Sequence, residues 1–393
     1  MKKKWCFILL LGVILALSAC AAAEEARDMI RECKLKATVY PSQLYRLYKE
    51  GYDTYWTGTG GMLTVTLPEG KECSGISFSF KGAAVPLIAE AQDENGEWRK
   101  IGEYREPYLN GSIPFTVKNS FRLRAENEQA ELRLNKLQVW VGGGLPDVQQ
   151  WTDLTEEADM MLIVTHPDDD LIWFGGLLPL YAGQLGKKVQ VVYIVGEPSD
   201  QRKNELLDGL WACGVKYYPV IGSFRDLLND HESVVVKRFG GEDAVPTFLT
   251  GLIRQYRPKV VVTQDIRGEY GHMQHIVSVK AVIRTVTELA GDPAYDAPSA
   301  ERYGTFTPMK LYLHAYPENE IQMDWTQPLS AFGGETGEKV AARALRMHIS
   351  QRAAQYHVKM TGRLDSQRFG LYFTTVGADE ACNDLFEHIP AQD

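Results

Sequence analysis

A short apolar run, Met161-Leu-Ile-Val164, gives way within two residues to His166-Pro167-Asp168-Asp169-Asp170, and this junction restricts the folds open to the chain. Four consecutive apolar residues bounded by polar and proline residues read as a buried strand. The aspartates supply N-cap and first-turn carboxylates for a helix starting near Asp170. His166, Asp168 and Asp169 then sit where a strand passes into a helix, the edge of an open α/β sheet at which sites form. An isolated aspartate there is ordinarily a cap, and an isolated histidine a packed residue. Three adjacent carboxylates repel one another unless something positive lies among them, and a divalent metal is the simplest such partner.

A second junction carries similar chemistry. Gly268-Glu269-Tyr270-Gly271-His272-Met273-Gln274-His275 follows the apolar strand Val260-Val-Val-Thr263 and opens a helix running towards Leu289. His272 and His275 are spaced i, i+3, so a helix would carry them on one face.

The two motifs in this order, with Arg202-x-x-Glu205 and Cys213-Gly214-Val215 between them, resemble the PIG-L/LmbE de-N-acetylases from about Met160 to the C-terminus. The sequence departs from that pattern at Asp170, where the family mostly has Glu, and at Met273, where it often has Pro. The resemblance implies one divalent metal held by His166, Asp169 and His275, most readily Zn2+, with Fe2+ and Co2+ as alternatives. It further implies Asp168 as general base, His272 as oxyanion stabiliser or acid, and Arg202 as a substrate contact. Two histidines and one carboxylate leave coordination positions open for water and substrate. The reaction implied is hydrolysis of an N-acetyl group from an N-acetylglucosamine-type sugar or glycoconjugate. The same ligand types also build non-haem iron sites. Two further alternatives are a metal-dependent hydrolase of a non-sugar amide and a carbohydrate-binding surface lipoprotein that no longer turns over.

A chain of 393 residues suggests two domains. Its net charge of −9 and the lack of a basic patch argue against nucleic acid as a partner. Lys2-Lys3-Lys4 followed by apolar Trp5 to Leu17 has the layout of an export signal and is too short for a membrane span, which needs about 20 residues. Leu17-Ser18-Ala19-Cys20 resembles a bacterial lipobox, so residues 1–20 are expected to be a lipoprotein signal peptide. The chain is then an exported protein anchored to the membrane by a lipid on Cys20. Cys33, Cys73, Cys213 and Cys382 are too few for a disulfide framework; whether Cys33 pairs with Cys73 stays open.

Residues 26–150 carry alternating segments such as Leu63-Thr-Val-Thr-Leu67 and Ile76-Ser-Phe-Ser-Phe80, separated by turn residues. The pattern suggests a β-sandwich, and the order of segments resembles a discoidin-type jelly roll. Tyr52, Tyr55, Trp56 and Trp98 are candidates to stack on sugar faces, with Trp56 and Trp98 at least as readily filling the sandwich core. Gly142-Gly-Gly-Leu-Pro146 reads as a linker. Residues 151–393 alternate strand and helix, which predicts a Rossmann-like, mostly parallel sheet in an α/β domain. No Gly-x-Gly-x-x-Gly opens a helix, so no nucleotide cofactor is expected. A helix is expected from about Glu338 to Tyr356, and His314, His348 and His388 are expected to pack or lie at the surface, with lining the pocket as the alternative.

Overall fold

The computed structural model describes residues 25–49, 51–196, 199–228 and 231–390. The signal-like segment and Cys20 lie outside the described residues.

The first ten strands are β1 (Arg27–Asp28), β2 (Lys34–Ala37), β3 (Trp56–Thr57), β4 (Met62–Thr66), β5 (Cys73–Phe80), β6 (Leu87–Gln92), β7 (Trp98–Tyr104), β8 (Asn110–Val117), β9 (Ser120–Ala125) and β10 (Arg133–Val141). They form two antiparallel five-stranded sheets, one in the order β1-β10-β5-β8 with β3 on β10, the other β2-β4-β9-β6-β7. Alternation explains the arrangement, because β4 and β9 bury every second side chain, Leu63 and Val65 on one and Phe121 and Leu123 on the other. These residues join Ile76, Phe78 and Val139 of the facing sheet in one core. Trp56 belongs to that interior, and Tyr52 is buried outside it with its hydroxyl on Asp208 of the second domain, so neither is an exposed stacking residue. Trp98 is half-buried beneath the Arg122 guanidinium, 4.5 Å from the ring centre, and Tyr55 lies beneath Arg133 at 5.4 Å. Cys33, Cys73, Cys213 and Cys382 are all free thiols.

The remaining strands are β11 (Met160–Val164), β12 (Val189–Val195), β13 (Val220–Phe224), β14 (Val260–Thr263), β15 (Lys310–His314), β16 (Glu320–Gln322) and β17 (Arg368–Thr374). They form one seven-stranded sheet in the order β13-β12-β11-β14-β15-β17-β16. The first five run parallel and β17 is antiparallel to both its neighbours. Every side chain of β11, β12, β14 and β15 is buried, as expected of strands covered on both faces.

The helices are α1 (Asp169–Ile172), α2 (Asp200–Ala212), α3 (Glu232–Arg238), α4 (Ala244–Tyr256), α5 (Met273–Arg284), α6 (Ala297–Tyr303) and α7 (Gly337–Leu345). Two differ from the sequence reading. The helix after the first motif, expected to end near Gly186, breaks after four residues and resumes as a π-helical turn over Pro179–Gln184. Gly175 adopts φ +50°, and a Cβ on Gly175 or Gly176 would come within 2.9 Å of the Trp325 ring, so the chain turns where that indole presses on the backbone. The helix expected over 338–356 ends at Leu345; a separate 3-10 turn over Ile349–Ala354 follows and closes at Gln355 in the left-handed region.

Candidate metal centre

Strands β11 and β14 are parallel neighbours with Met160 opposite Val260 and Ile163 opposite Thr263, so their carboxyl ends reach the same sheet edge. The first motif leaves one strand there and the second motif leaves the other. His166 and His275, 109 residues apart, meet with Nδ1 and Nε2 separated by 3.1 Å. Asp169 Oδ2 lies 3.3 Å from His166 Nδ1 and 3.3 Å from His275 Nε2. Three vertices of a tetrahedron with bonds of about 2.0 Å are separated by about 3.3 Å. The donor set therefore has the chemistry and the spacing that a divalent cation requires. A looser set puts His272 in place of Asp169, with donor atoms within 4.8 Å of one another. The tighter triangle is the better cradle because all its edges match one coordination polyhedron.

The outward nitrogens are held as well. His275 Nδ1 lies 2.6 Å from Glu269 Oε2, and His166 Nε2 lies 2.9 Å from Gln274 Oε1 and 3.4 Å from Asp226 Oδ1. Such partners fix ring orientation and raise ligand basicity in metal sites. Glu269 is completely buried; its Oε1 accepts from the Asp265 backbone N–H at 2.9 Å and lies 3.3 Å from His314 Nδ1. Asp169 accepts from Trp173 Nε1 at 2.9 Å through Oδ1, and from the His166 backbone N–H at 2.7 Å and Gln264 Nε2 at 3.1 Å through Oδ2.

The centre carries strong negative potential. Burial disfavours protonated His166 and His275, yet Asp169 with Asp226 beside the first and Asp169 with Glu269 beside the second hold both above the ordinary imidazole range. Asp169 stays ionised despite its burial because His275 and His166 face it. A cation entering this field displaces those protons, which is how metal binding couples to pH.

Asp168 has a different environment. Burial, and then the charge of Asp169, push its carboxyl well above the ordinary range, with Arg202 opposing. The Arg202 Nη2 donates to Pro167 O at 2.9 Å and lies 3.5 Å from Asp168 Oδ2. Asp168 also holds φ 102°, a conformation disfavoured for a residue with a Cβ and costing on the order of 1–3 kcal/mol. His272 is the N-cap of α5 rather than part of the helix, but its ring still stacks on His275 with centroids 4.6 Å apart. Burial, with the neighbouring His275 and His166, lowers its pKa to about 4, so the ring is neutral at pH 7. Its Nδ1 is buried and has no protein partner.

All six candidate residues thus gather at one sheet edge. Glu269, Gln264, Trp173 and Asp226 join them without having been singled out. Glu269 stood inside the second motif, where a carboxylate beside two metal-type histidines was a usable signal. Asp226 comes from the loop after β13, and no pattern in the chain marks it. His314 is buried as packing predicts, and the pairing with Glu269 gives that packing a purpose.

Sheet and site together define an α/β protein with a histidine–carboxylate centre at the carboxyl edge of its strands. Residues 161–286 match the family model described as PIG-L: GlcNAc-PI de-N-acetylase, so the chain carries a PIG-L domain of the PIG-L/LmbE family. It is 28% identical over 211 residues to a 1D-myo-inositol 2-acetamido-2-deoxy-alpha-D-glucopyranoside deacetylase 1 of Catenulispora acidiphila, covering 47% of this chain and 63% of that one. Identity to the corresponding deacetylase of Thermomonospora curvata is 29% over 181 residues, covering 38% and 60%. The chain therefore spans less than two thirds of either relative's length. Among solved structures, N,N'-diacetylchitobiose deacetylase from Pyrococcus horikoshii is similar at 19% identity and a TM-score of 0.35, covering 49% of this chain and 71% of that chain.

Proposed function

We propose that this protein hydrolyses the N-acetyl group of an N-acetylglucosamine-type sugar or glycoconjugate, releasing acetate and a free amine. The observation that carries the reading is the triangle of His166, Asp169 and His275 with the carboxyl of Asp168 next to it. These three residues would hold one divalent cation, Zn2+ by the tetrahedral spacing of an N2O donor set. When bound, it supplies Lewis-acid polarisation of the acetyl carbonyl and makes water more acidic.

The chain's own groups do the rest. Asp168 is not in the triangle, and its raised affinity for a proton suits a base that takes one from water and returns it to the departing amine. Arg202 fixes Pro167 O and faces Asp168, so it orients the base and lies within reach of a bound sugar. The neutral His272 presents an unpaired ring nitrogen, which favours hydrogen bonding to the developing oxyanion over service as a charged acid. The two-sheet unit of residues 26–150 is assigned as a jelly-roll β-sandwich of discoidin type that carries the catalytic domain to glycans. A lipid on Cys20 would hold the whole at the outer face of the membrane.

The test is acetate release from N-acetylglucosamine oligomers and glycoconjugates after chelation and restoration of zinc, cobalt or iron. No acetate from any N-acetylated sugar, with metal demonstrably bound, refutes the reading.

A further inference from the structure

A cavity of about 750 Å3 lies between the two-sheet unit and the α/β domain, away from the metal-type centre. One wall is the outer face of β5, β8 and β10; the other is α2 and α7 with the turn at Phe332. Helix α2 separates it from the catalytic edge. Asp208, in this wall, follows Arg202 by six residues, which places it about 9 Å further along the helix and about 240° round it. The cavity is thus a second compartment and not a branch of the first.

Its walls have a definite chemistry. Lys216 pairs with Asp147 at 3.5 Å, Arg343 with Glu335 at 3.0 Å, and Lys136 lies close enough to Asp208 to act on its charge. The cations are matched, so no strong net charge awaits a phosphate or sulfate. Asp208 itself accepts from Tyr52 Oη and from Gln149 Nε2, each at 2.6 Å, which ties the two units together across the cavity. Amides and hydroxyls dominate what remains: Ser77, Ser79, Asn110 and Gln138 on one side. The Asn110 side chain is 4% exposed; its Oδ1 accepts from Ser79 Oγ, and its Nδ2 has no protein partner. Two half-buried indoles, Trp140 and Trp211, also line the space from opposite units; Lys216 Nζ covers the Trp211 ring at 3.6 Å, while Trp140 is oriented by donating Nε1–H to Ser77 Oγ at 2.9 Å. Matched charge, many neutral hydrogen-bonding groups and flat aromatic faces are the complement of a ring with hydroxyls at its rim and C–H groups on its faces.

We propose that this cavity is an accessory saccharide-binding site, formed jointly by the two units, that holds a neutral glycan segment apart from the catalytic centre. The proposal rests on the sugar-directed half of the function given above but not on turnover. Trp140 stacks against a sugar face from the two-sheet unit, and Trp211, with Lys216 Nζ 3.6 Å from its ring centre, bounds the glycan from the other side.

The experiment uses the full chain carrying Asp168→Asn, which suppresses turnover, titrated calorimetrically with N-acetylchitohexaose, cellohexaose and inorganic sulfate. At least one hexasaccharide is expected to bind, and Trp140→Ala and Trp211→Ala are each expected to weaken it tenfold or more. Unfolding midpoints check that the variants are folded. In chains with Asp168 intact, both tryptophan variants should release acetate from a monosaccharide substrate at the parent rate. Failure of both hexasaccharides to bind overturns the proposal, and so does binding that neither tryptophan variant changes. Sulfate binding that the hexasaccharides do not displace overturns the neutral-ligand assignment. Tryptophan-dependent hexasaccharide binding, together with no acetate from any N-acetylated sugar by the metal-loaded chain with Asp168 intact, supports this site and refutes the deacetylase reading; acetate release without such binding does the reverse.

Discussion

Replacing Glu269 by glutamine keeps the volume of a fully buried side chain and removes its charge and one acceptor. The carboxylate serves His275 Nδ1 at 2.6 Å through one oxygen, and the Asp265 N–H at 2.9 Å and His314 Nδ1 at 3.3 Å through the other. A glutamine has one acceptor atom and two donor protons on the other. Turned one way its NH2 faces the Asp265 N–H; turned the other way it faces His275, which loses the acceptor that fixes its ring. Either way the anionic support behind a metal-type nitrogen is gone. Loss of such a partner typically costs 10- to 100-fold in metal affinity, or about 1.4–2.7 kcal/mol at about 1.4 kcal/mol per tenfold. Competition against a chromophoric zinc chelator measures the change, with the unfolding midpoint as a folding control. A zinc Kd within twofold of the parent, while His275→Ala loses the metal, would show that Glu269 does not act through His275.

Three other outcomes are expected. Asp168→Asn should keep metal and lose about 10²–10⁴ in rate, whereas His275→Ala should lose the metal itself; a metal deficit in the first and not the second reverses the roles. Glu90 is buried, which raises its pKa, but hydrogen bonds from Arg124 and Arg122 at β9 prevail and hold it below 4.5. A depressed folded pKa means that its contribution is complete above 4.5 and is lost as the pH falls from there through the folded value, so Glu90→Gln should flatten the stability–pH slope in that acid window. Urea unfolding at several pH values checks this, and an unchanged slope contradicts it. Asp379 pairs with Lys310 where both side chains are at most 1% exposed. Asp379→Ala strands a buried ammonium and should cost about 3–5 kcal/mol in urea unfolding, against less than 1 if the pair were idle.

Much of this was legible in the chain because its signals are local. Met161 to Val164 and Val260 to Thr263 are fully apolar and bounded, and both are buried strands as their composition dictates. Both motifs fall at strand ends for the same reason. What was not legible depended on distant partners. The helix after Asp169 is interrupted by Trp325, more than 150 positions on, against the Gly175–Gly176 backbone, and resumes to Gln184. Trp56 carries no mark distinguishing a stacking residue from a core residue; the fold decides, placing its Nε1 on Val39 O at 3.2 Å and its ring fully inside. Asp226 became part of the site only because β13 lies in the same sheet as β11, a relation that no short-range pattern expresses.

Strand register converts a separation of 109 residues into a contact of 3.1 Å. Strands β11 and β14 are hydrogen-bonded neighbours in uninterrupted register over four pairs, from Met160–Val260 to Ile163–Thr263. Past those pairs, Thr165 donates through both its backbone N–H, at 2.9 Å, and its hydroxyl, at 2.5 Å, to Gln264 Oε1, while Gln264 Nε2 donates to Asp169. One side chain leaving β14 therefore locks the start of the first motif to its carboxylate donor. A slip of one residue between the strands would displace the second motif by about 3.3 Å along the strand axis. That displacement equals an edge of the donor triangle, so no rotamer change would restore it. The buried valines of β14 and the amide of Gln264 thus set the position of His275 as firmly as the residues that touch it, and the specificity of strand pairing is a condition for the centre to exist.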